Sequence, residues 1–257
     1  MYPKLEELSI NAWPALETMI YDGWLLRFAD GYTKRANSIY PLYPATEELE
    51  SKIADCEAYY EGKGLPTIFK MTPFAEPHDL EALLEQKGYV TQDLVSMQAV
   101  SLEKVTAPSL HTVRIDEHCT DEWRDDYCRL NNQGEKAKET MTQTLRKIIP
   151  RTCYASLYQQ DKVVACGLGV MEREYIGLFD IVTDEAFRNQ GLGEQLVLNL
   201  LQWGQEQGAK YSYLQVLQDN QPALRLYEKI GYHEQYAYWY RVKHNDHHNS
   251  CSVKIKS

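Results

Sequence analysis

The chain is predicted to adopt an α/β (α+β) fold built in two similar halves, and three observations carry that expectation. Segments of alternating apolar character and segments of helical period follow one another along the whole sequence. Glycines and short polar clusters punctuate them where turns are needed. The halves also resemble each other: shifted by 143 residues, Leu83-Leu84-Glu85-Gln86-Lys87-Gly88-Tyr89 falls on Leu226-Tyr227-Glu228-Lys229-Ile230-Gly231-Tyr232. Leu, Glu, Gly and Tyr match in register, and both copies read as a helix end, a glycine stop and the start of a strand.

The first half reads helix, strand, strand, helix, strand, helix, strand. Residues 18–29 and 34–42 are rich in aromatic and branched side chains on either side of Asp30-Gly31, which predicts two strands about a turn. Thr46 is the expected N-cap of a helix, with Glu47, Glu48 and Glu50 in its first turns, Leu49, Ile53, Cys56 and Tyr60 at helical spacing, and a stop at Gly62-Lys63-Gly64. A strand at 66–71, a helix at 78–87 and a strand at 89–103 follow, and Lys104–Ser109 reads as a linker. The second half reads strand 111–115, helices 119–131 and 136–148, and strands at 152–159, 162–172 and 174–184. Helix 192–207, strand 211–217, helix 221–230 and strand 232–242 complete it. These patterns divide the chain into domains at 1–105 and 110–242, with 243–257 a polar tail expected to be disordered; its His247-His248 pair reads as solvated, not as a metal site.

Composition narrows the function. Among 257 residues, 44% are apolar and 25% charged, the proportions of a soluble globular protein. No apolar run reaches the ~20 residues of a membrane helix, and Met1–Glu7 lacks the order of a secretion signal. The six cysteines form no C-x-x-C pair, so reduced thiols in a cytoplasmic protein are expected, without a disulfide framework or a zinc site. A net charge of −10 argues against nucleic-acid binding and mildly favours a cationic small partner.

Chemistry concentrates in Asp180-Ile181-Val182-Thr183-Asp184-Glu185-Ala186-Phe187-Arg188-Asn189-Gln190-Gly191-Leu192-Gly193, a strand, a tight loop and a helix start. Gly191 and Gly193 let the backbone approach a ligand with its N–H groups turned outward, and the helix dipole favours an anion such as pyrophosphate. Arg188 adds a guanidinium. Downstream stands Asn220-Gln221-Pro222-Ala223-Leu224-Arg225-Leu226-Tyr227-Glu228-Lys229-Ile230-Gly231-Tyr232.

Together these motifs resemble those of the Gcn5-related N-acetyltransferase (GNAT) superfamily: R/Q-x-x-G-x-G/A after a strand, then N-x-x-A-x-x-L/F-Y-x-x-x-G-F/Y about 30 residues on. The resemblance covers about 110–242. It implies a mixed central sheet flanked by helices, two such domains in tandem, and acetyl-CoA as cosubstrate. The backbone of Ile181, Val182 and Thr183 should pair with the pantetheine arm. Arg188, Asn189, Gln190, Gly191, Leu192 and Gly193 should hold the pyrophosphate, Asn220 should contact the arm, and Tyr227 should protonate the departing thiolate. Asp180, at the family's splayed-strand position, is the candidate for binding or deprotonating the amine. Phe179 stands where polyamine acetyltransferases carry a neighbouring carboxylate, so Glu172 and Glu174 remain alternatives for the base.

Under the same 143-residue shift, Ala45, Glu48 and Glu50 replace Arg188, Gly191 and Gly193, Pro77 replaces Asn220 and Leu84 replaces Tyr227. The first half therefore reads as a degenerate GNAT-like domain shaping the acceptor cleft, where Trp24, Arg27, Arg35 and Asn37 are possible substrate contacts. The implied activity is direct acetyl transfer to a primary amine of a small molecule or amino acid, by a monomer or homodimer. A protein or peptide N-acetyltransferase and a non-catalytic acetyl-CoA sensor stay open.

Overall fold

The computed structural model describes residues 2–44, 46–110 and 112–244. In chain order the elements are α1 (Tyr2–Ala12), β1 (Glu17–Tyr21), β2 (Trp24–Phe28), β3 (Ile39–Pro41), α2 (Leu49–Glu61), β4 (Thr67–Met71), α3 (Leu80–Gln86) and β5 (Val90–Ser101). Then come β6 (Val113–Asp116), α4 (Asp121–Leu130), α5 (Glu135–Arg146), β7 (Arg151–Gln159), β8 (Lys162–Glu172) and β9 (Tyr175–Thr183). The chain continues through α6 (Leu192–Glu206), β10 (Tyr211–Leu217), α7 (Gln221–Ile230) and β11 (His233–Lys243). The expected α/β class is what the structure has. Residues 245–257, which hold almost all of the expected tail with His247-His248, lie outside the described residues.

Two compact units result, and neither is a continuous stretch of sequence. The larger comprises residues up to Ala12 and Ser96–Gln235; the smaller comprises Trp13–Val95 and residues from Tyr236 on. A division at 105/110 therefore describes the motifs but not the packing. Helix α1 belongs to the larger unit because its polar side chains are tied there: Asn11 donates to Glu172 at 3.1 Å, Ser9 accepts from Gln215 at 2.7 Å, and Glu7 pairs with Arg173 at 2.5 Å. The end of β11 belongs to the smaller unit, pairing antiparallel with β4 from Trp239↔Met71 to Lys243↔Thr67.

In the smaller unit the strand order is β1-β2-β3-β4-β11. Trp24, Leu26, Ile39 and Phe69 of its sheet bury against Ile53, Cys56 and Tyr60 of α2 and Leu80 and Leu84 of α3. The segment 18–29 is two strands, not one. Asp22 and Gly23, at φ 41° and 84°, form the two-residue turn of a hairpin closed by Tyr21↔Trp24, as an Asp-Gly pair with two positive φ angles favours. Residues 34–42 hold a 3-10 turn (Lys34–Ala36) and then only the short β3, because Asn37 gathers the chain before it. Its Oδ1 accepts from Ala29 N and Gly31 N, and its Nδ2 donates to the carbonyls of Ala29 and Thr33.

Asn37 is thus a structural residue. Arg27 is another: it is buried, donating to the carbonyls of Trp13 and Arg35 and to the Tyr40 hydroxyl. Trp24 is fully buried too, with Lys52 Nζ 3.9 Å above its ring. Arg35 stacks its guanidinium 5.8 Å from Trp13 and gives its carbonyl to Arg27.

In the larger unit the order is β5-β10-β9-β8-β7-β6. Helix α6 lays Leu192, Leu196, Val197, Leu200 and Leu201 against Val164, Ala165, Ile176 and Leu178 of β8 and β9. At ~1.5–3 kcal/mol for each large side chain removed from water, this layer is the main force fixing the α6 N-terminus beyond the end of β9.

Candidate active site

Strand β9 pairs on one side with β10 in parallel, from Tyr175↔Tyr211 to Leu178↔Leu214, and on the other with β8 in antiparallel fashion out to Thr183↔Ala165. Past Leu178 the β9–β10 ladder stops, although β9 runs to Thr183 and β10 to Leu217. Ile181, Val182 and Thr183, the residues expected to pair with an extended ligand, lie in this parted stretch and are half-buried.

The pairing with β8 is irregular just here. Leu168 faces Phe179 and Cys166 faces Val182, so Asp180 and Ile181 together oppose Gly167. The result is a β-bulge, with Asp180 at φ 52°. Gly167 gives room opposite it: a Cβ there would stand 2.7 Å from Ile181 Cδ1 and 3.0 Å from Leu200 Cδ1, and those side-chain ends would have to shift. A glycine inside a strand signals such a bulge, yet the sequence reading passed over it. Asp180 is half-buried, and its Oδ1 accepts from the Tyr127 hydroxyl at 2.9 Å. Tyr127 on α4 was also missed, because an aromatic on the buried face of an amphipathic helix looks like core.

After β9 the chain makes a 3-10 turn (Glu185–Phe187), with Asp184 accepting from Ala186 N at 3.0 Å, and reaches Gly191, the N-cap of α6. Asn189 and Gly191 both have positive φ, 61° and 77°. Gly191 offers no side chain to the helix, so the first N–H groups of α6 are left without a side-chain cap. A Cβ on Gly191 would meet nothing within 4 Å, whereas one on Gly193 would stand 3.2 Å from Thr183 Oγ1. Glycine thus suits 191 by its dihedral, and at 193 it spares Thr183 a shift of a few tenths of an ångström.

The Arg188 guanidinium folds back on the loop, with Nε donating to the Thr183 carbonyl at 3.4 Å and an exposed pair to Glu185 at 3.4 Å. Exposed pairs of this kind are worth at most ~1 kcal/mol, so an entering anion can displace this one. Gln190 reaches back to the Ala186 carbonyl at 3.5 Å, while the side chain of Leu192 is core, leaving only its backbone at the loop. Glu194 in the first turn of α6 is engaged by Lys229 of α7 at 2.6 Å. The donor set, two glycines and a compensated acid fit a pyrophosphate.

Asn220 caps α7, its Oδ1 accepting from Ala223 N at 3.3 Å, and so its side chain is at least partly committed to the helix. Tyr227 is buried in the same apolar cluster as Leu192 and Leu196, with its ring edge-on to Tyr232 at 5.7 Å. Its hydroxyl has no hydrogen-bond partner among the described residues, and burial pushes the phenol up to about 12. It stays protonated through the physiological range, so it holds a proton to donate. Neighbouring Tyr232 is satisfied, sharing a 2.6 Å hydrogen bond with Ser212, whose hydroxyl donates to the Ile176 carbonyl.

The alternative bases are placed elsewhere. Glu172 and Glu174 flank the turn at the start of β9, about 17–20 Å along the strand from Asp180 at ~3.3 Å per residue. Glu172 accepts from Asn11, and Glu174 is paired with Lys210. Neither is available to the bulge.

Among the described residues no helix is long and apolar enough to cross a membrane. The family model described as "Probable histone acetyltransferase Rv0428c C-terminal" matches residues 3–241. An "Uncharacterized N-acetyltransferase YobR" of Bacillus subtilis (strain 168) is 28% identical over 247 residues, 93% of this chain and 98% of the relative. Among solved structures, a GCN5-related N-acetyltransferase from Kribbella flavida superposes with a TM-score of 0.70 at 13% identity, covering 95% of this chain and 96% of its own. A tandem GNAT protein from the clavulanic acid biosynthesis pathway superposes with a TM-score of 0.60 at 12% identity, covering 76% and 69%.

Proposed function

The chain belongs to the Gcn5-related N-acetyltransferases, and on that premise we propose that it moves the acetyl group of acetyl-CoA directly to a primary amine of a small cationic molecule or amino acid in the cytoplasm. The observation that carries this reading is the parting of β9 from β10 beyond Leu178, continued by an α6 N-terminus that no side chain caps. Acetyl-CoA supplies the thioester and its pyrophosphate. The Ile181–Thr183 backbone offers strand-type partners to the arm, and Arg188 through Gly193 offer backbone N–H groups and a guanidinium to the phosphates.

An alkylamine of pKa about 10.4 is almost wholly protonated at neutral pH, and freeing its lone pair costs roughly 4–5 kcal/mol. Asp180 at the bulge, acting as the carboxylate, attracts the ammonium and accepts its proton. Tyr227, held protonated by burial, donates to the departing sulfur. The smaller unit carries Ala45, Glu48 and Glu50 where the larger has Arg188, Gly191 and Gly193, so the reading places a single cofactor in the larger unit. A second reading is favoured by the family's own description, which names a histone acetyltransferase: the acceptor would then be a protein amine.

Tyr227→Phe, measured with a panel of small amines and basic peptides, tests the proposal. The variant should keep the acetyl-CoA Kd of the parent and lose about 10²–10⁴-fold in turnover, the usual size of a general acid–base contribution. Equal turnover would return Tyr227 to the core, and a parent active on peptides alone would favour the second reading.

A further inference from the structure

We propose that Tyr127 is a positioning residue that fixes the Asp180 carboxylate for the acceptor amine, a role that rests on the acetyltransferase reading above. The bulge is where this begins. Up to Leu178, β9 alternates regularly, with Ile176 and Leu178 in the core beneath α6. Unbroken alternation would send residue 180 into the same core, where a carboxylate is costly. Because Asp180 and Ile181 share the place opposite Gly167, the parity flips. Ile181 takes the inward position, its Cδ1 reaching to where a Cβ on Gly167 would be, and Asp180 turns to the α4 side.

On that side a rigid phenol meets it. The Tyr127 ring lies parallel to Trp123, with centroids 5.3 Å apart at 3°. Trp123 is itself pinned, its indole N–H donating to the Ala155 carbonyl at 3.1 Å and its ring edge-on to Tyr154 at 4.9 Å. All three rings are buried. The Tyr127 hydroxyl therefore has little freedom, and its 2.9 Å bond determines where Asp180 Oδ1 sits. A base that must meet an ammonium and take its proton gains from being held in one geometry. A hydrogen bond donated to the ionised form also keeps the carboxylate charged.

Two further titratable side chains that interact with Asp180 are Tyr154 of β7 and Cys119 in the loop before α4. Burial pushes the Cys119 thiol up to about 11 and the Tyr154 phenol higher still, so both are neutral wherever the carboxylate titrates.

Tyr127→Phe, Asp180→Asn and the double variant, each in the full chain, test the role with two readouts. In carbon-13 carboxyl spectra, with Asp180 identified by its loss in Asp180→Asn, the Asp180 midpoint should rise by about one pH unit in Tyr127→Phe, the worth of one hydrogen bond. With an amine acceptor, kcat/KM should fall about 5–30-fold near neutral pH. The acidic limb of its pH profile should move up, the acetyl-CoA Kd should hold, and the double variant should be no worse than Asp180→Asn alone. Should Tyr127→Phe fold poorly, a fluorotyrosine at position 127, a stronger donor in the same space, should move the midpoint down. An unmoved midpoint, or additive losses in an active enzyme, would overturn the positioning role and leave the acetyltransferase reading intact. A moved midpoint in a parent inactive on every amine would sink that reading of Asp180, and the role with it.

Discussion

Helices α2 and α6 begin at corresponding residues, Leu49 and Leu192, which are 143 positions apart, yet they treat their N-termini in opposite ways. At α2 and in the turn leading into it, the protein's own carboxylates take up N–H donors. Asp22 accepts from Thr46 N at 2.9 Å, from Glu47 N at 3.0 Å and from the Lys52 ammonium at 3.0 Å, and Glu48 caps Ser51 N at 2.9 Å. The Thr46 hydroxyl, which donates to Asp22 at 2.6 Å, and then the Glu47 N–H hold Asp22 well below the usual carboxylate range; a hydrogen bond shared with the Glu50 side chain, and then the Ser51 N–H, push Glu48 down to about 2. At α6, Gly191 leaves the donors without a side-chain cap. One helix start carries its own carboxylates; the other has no side-chain cap and is where the proposed cofactor would bring its anion. This contrast supports a single cofactor site better than the missing glycines alone, because it shows what replaced them.

Importing the α2 arrangement into α6 is the most disruptive way to break the comparison. Gly191→Glu puts a side chain at φ 77° and a carboxylate beside the phosphate-binding donors. Losing two charge-assisted hydrogen bonds, at ~1.5–3 kcal/mol each, should cost acetyl-CoA about 10²–10⁴-fold in affinity. Calorimetry decides it: an unchanged Kd, or a second equivalent of acetyl-CoA bound at α2, would contradict the assignment.

Much of this contrast was legible in the sequence. The glycines of the α6 loop, the glutamates of α2 and the 143-residue repeat all stood in the string, and local chemistry dictates what each does. Elements from β7 to α7 fell where periodicity put them because each is long and strongly patterned. What could not be read depends on contacts distant in sequence. Asp22 lies far from the helix it plugs, so Thr46 looked like the cap when it is Asp22's partner. The bulge needs two strands to be seen at all. Tyr127 is singled out only by its bond to Asp180, 53 residues away. Membership of α1 and β11 is likewise a matter of packing, invisible to a reading that proceeds along the chain.

Removing the built-in anion is the gentler perturbation. Asp22→Asn keeps a residue that tolerates φ 41° but takes the charge from Lys52, which is fully buried. The melting temperature at pH 7 should fall by several degrees, with acetyl-CoA affinity unchanged. The pH dependence has a definite sign. A carboxylate whose folded pKa is depressed contributes stability above its unfolded value of about 3.9 and loses it as pH falls toward the folded one. The gap between variant and parent should therefore be full at neutral pH and close progressively below about pH 4. A gap independent of pH would mean that Asp22 acts through packing and not through charge.

The smallest expected effect is also a control, because the repeat predicts that the helix ends match where the helix starts do not. Gly88 after α3 and Gly231 after α7 have φ of 82° and 107°. Gly88 N donates to the Glu85 carbonyl at 3.0 Å and Gly231 N to the Glu228 carbonyl at 2.9 Å. The next residues, Tyr89 and Tyr232, donate to the carbonyls of Leu84 and Tyr227, each at 3.0 Å. A Cβ on Gly88 meets nothing within 4 Å, and one on Gly231 makes only an ordinary contact with Val100 at 3.5 Å. Space therefore separates the two sites little, and Ala at either carries mainly the left-handed backbone penalty of about 1–2 kcal/mol. In a chain of this size that lowers the melting temperature by about 2–8 °C. Gly88→Ala and Gly231→Ala should melt within about a degree of each other. A much larger loss for Gly231→Ala, which follows the helix bearing Tyr227, would mean that α7 depends on its end in a way α3 does not, and that the two halves diverged at more than their phosphate loops.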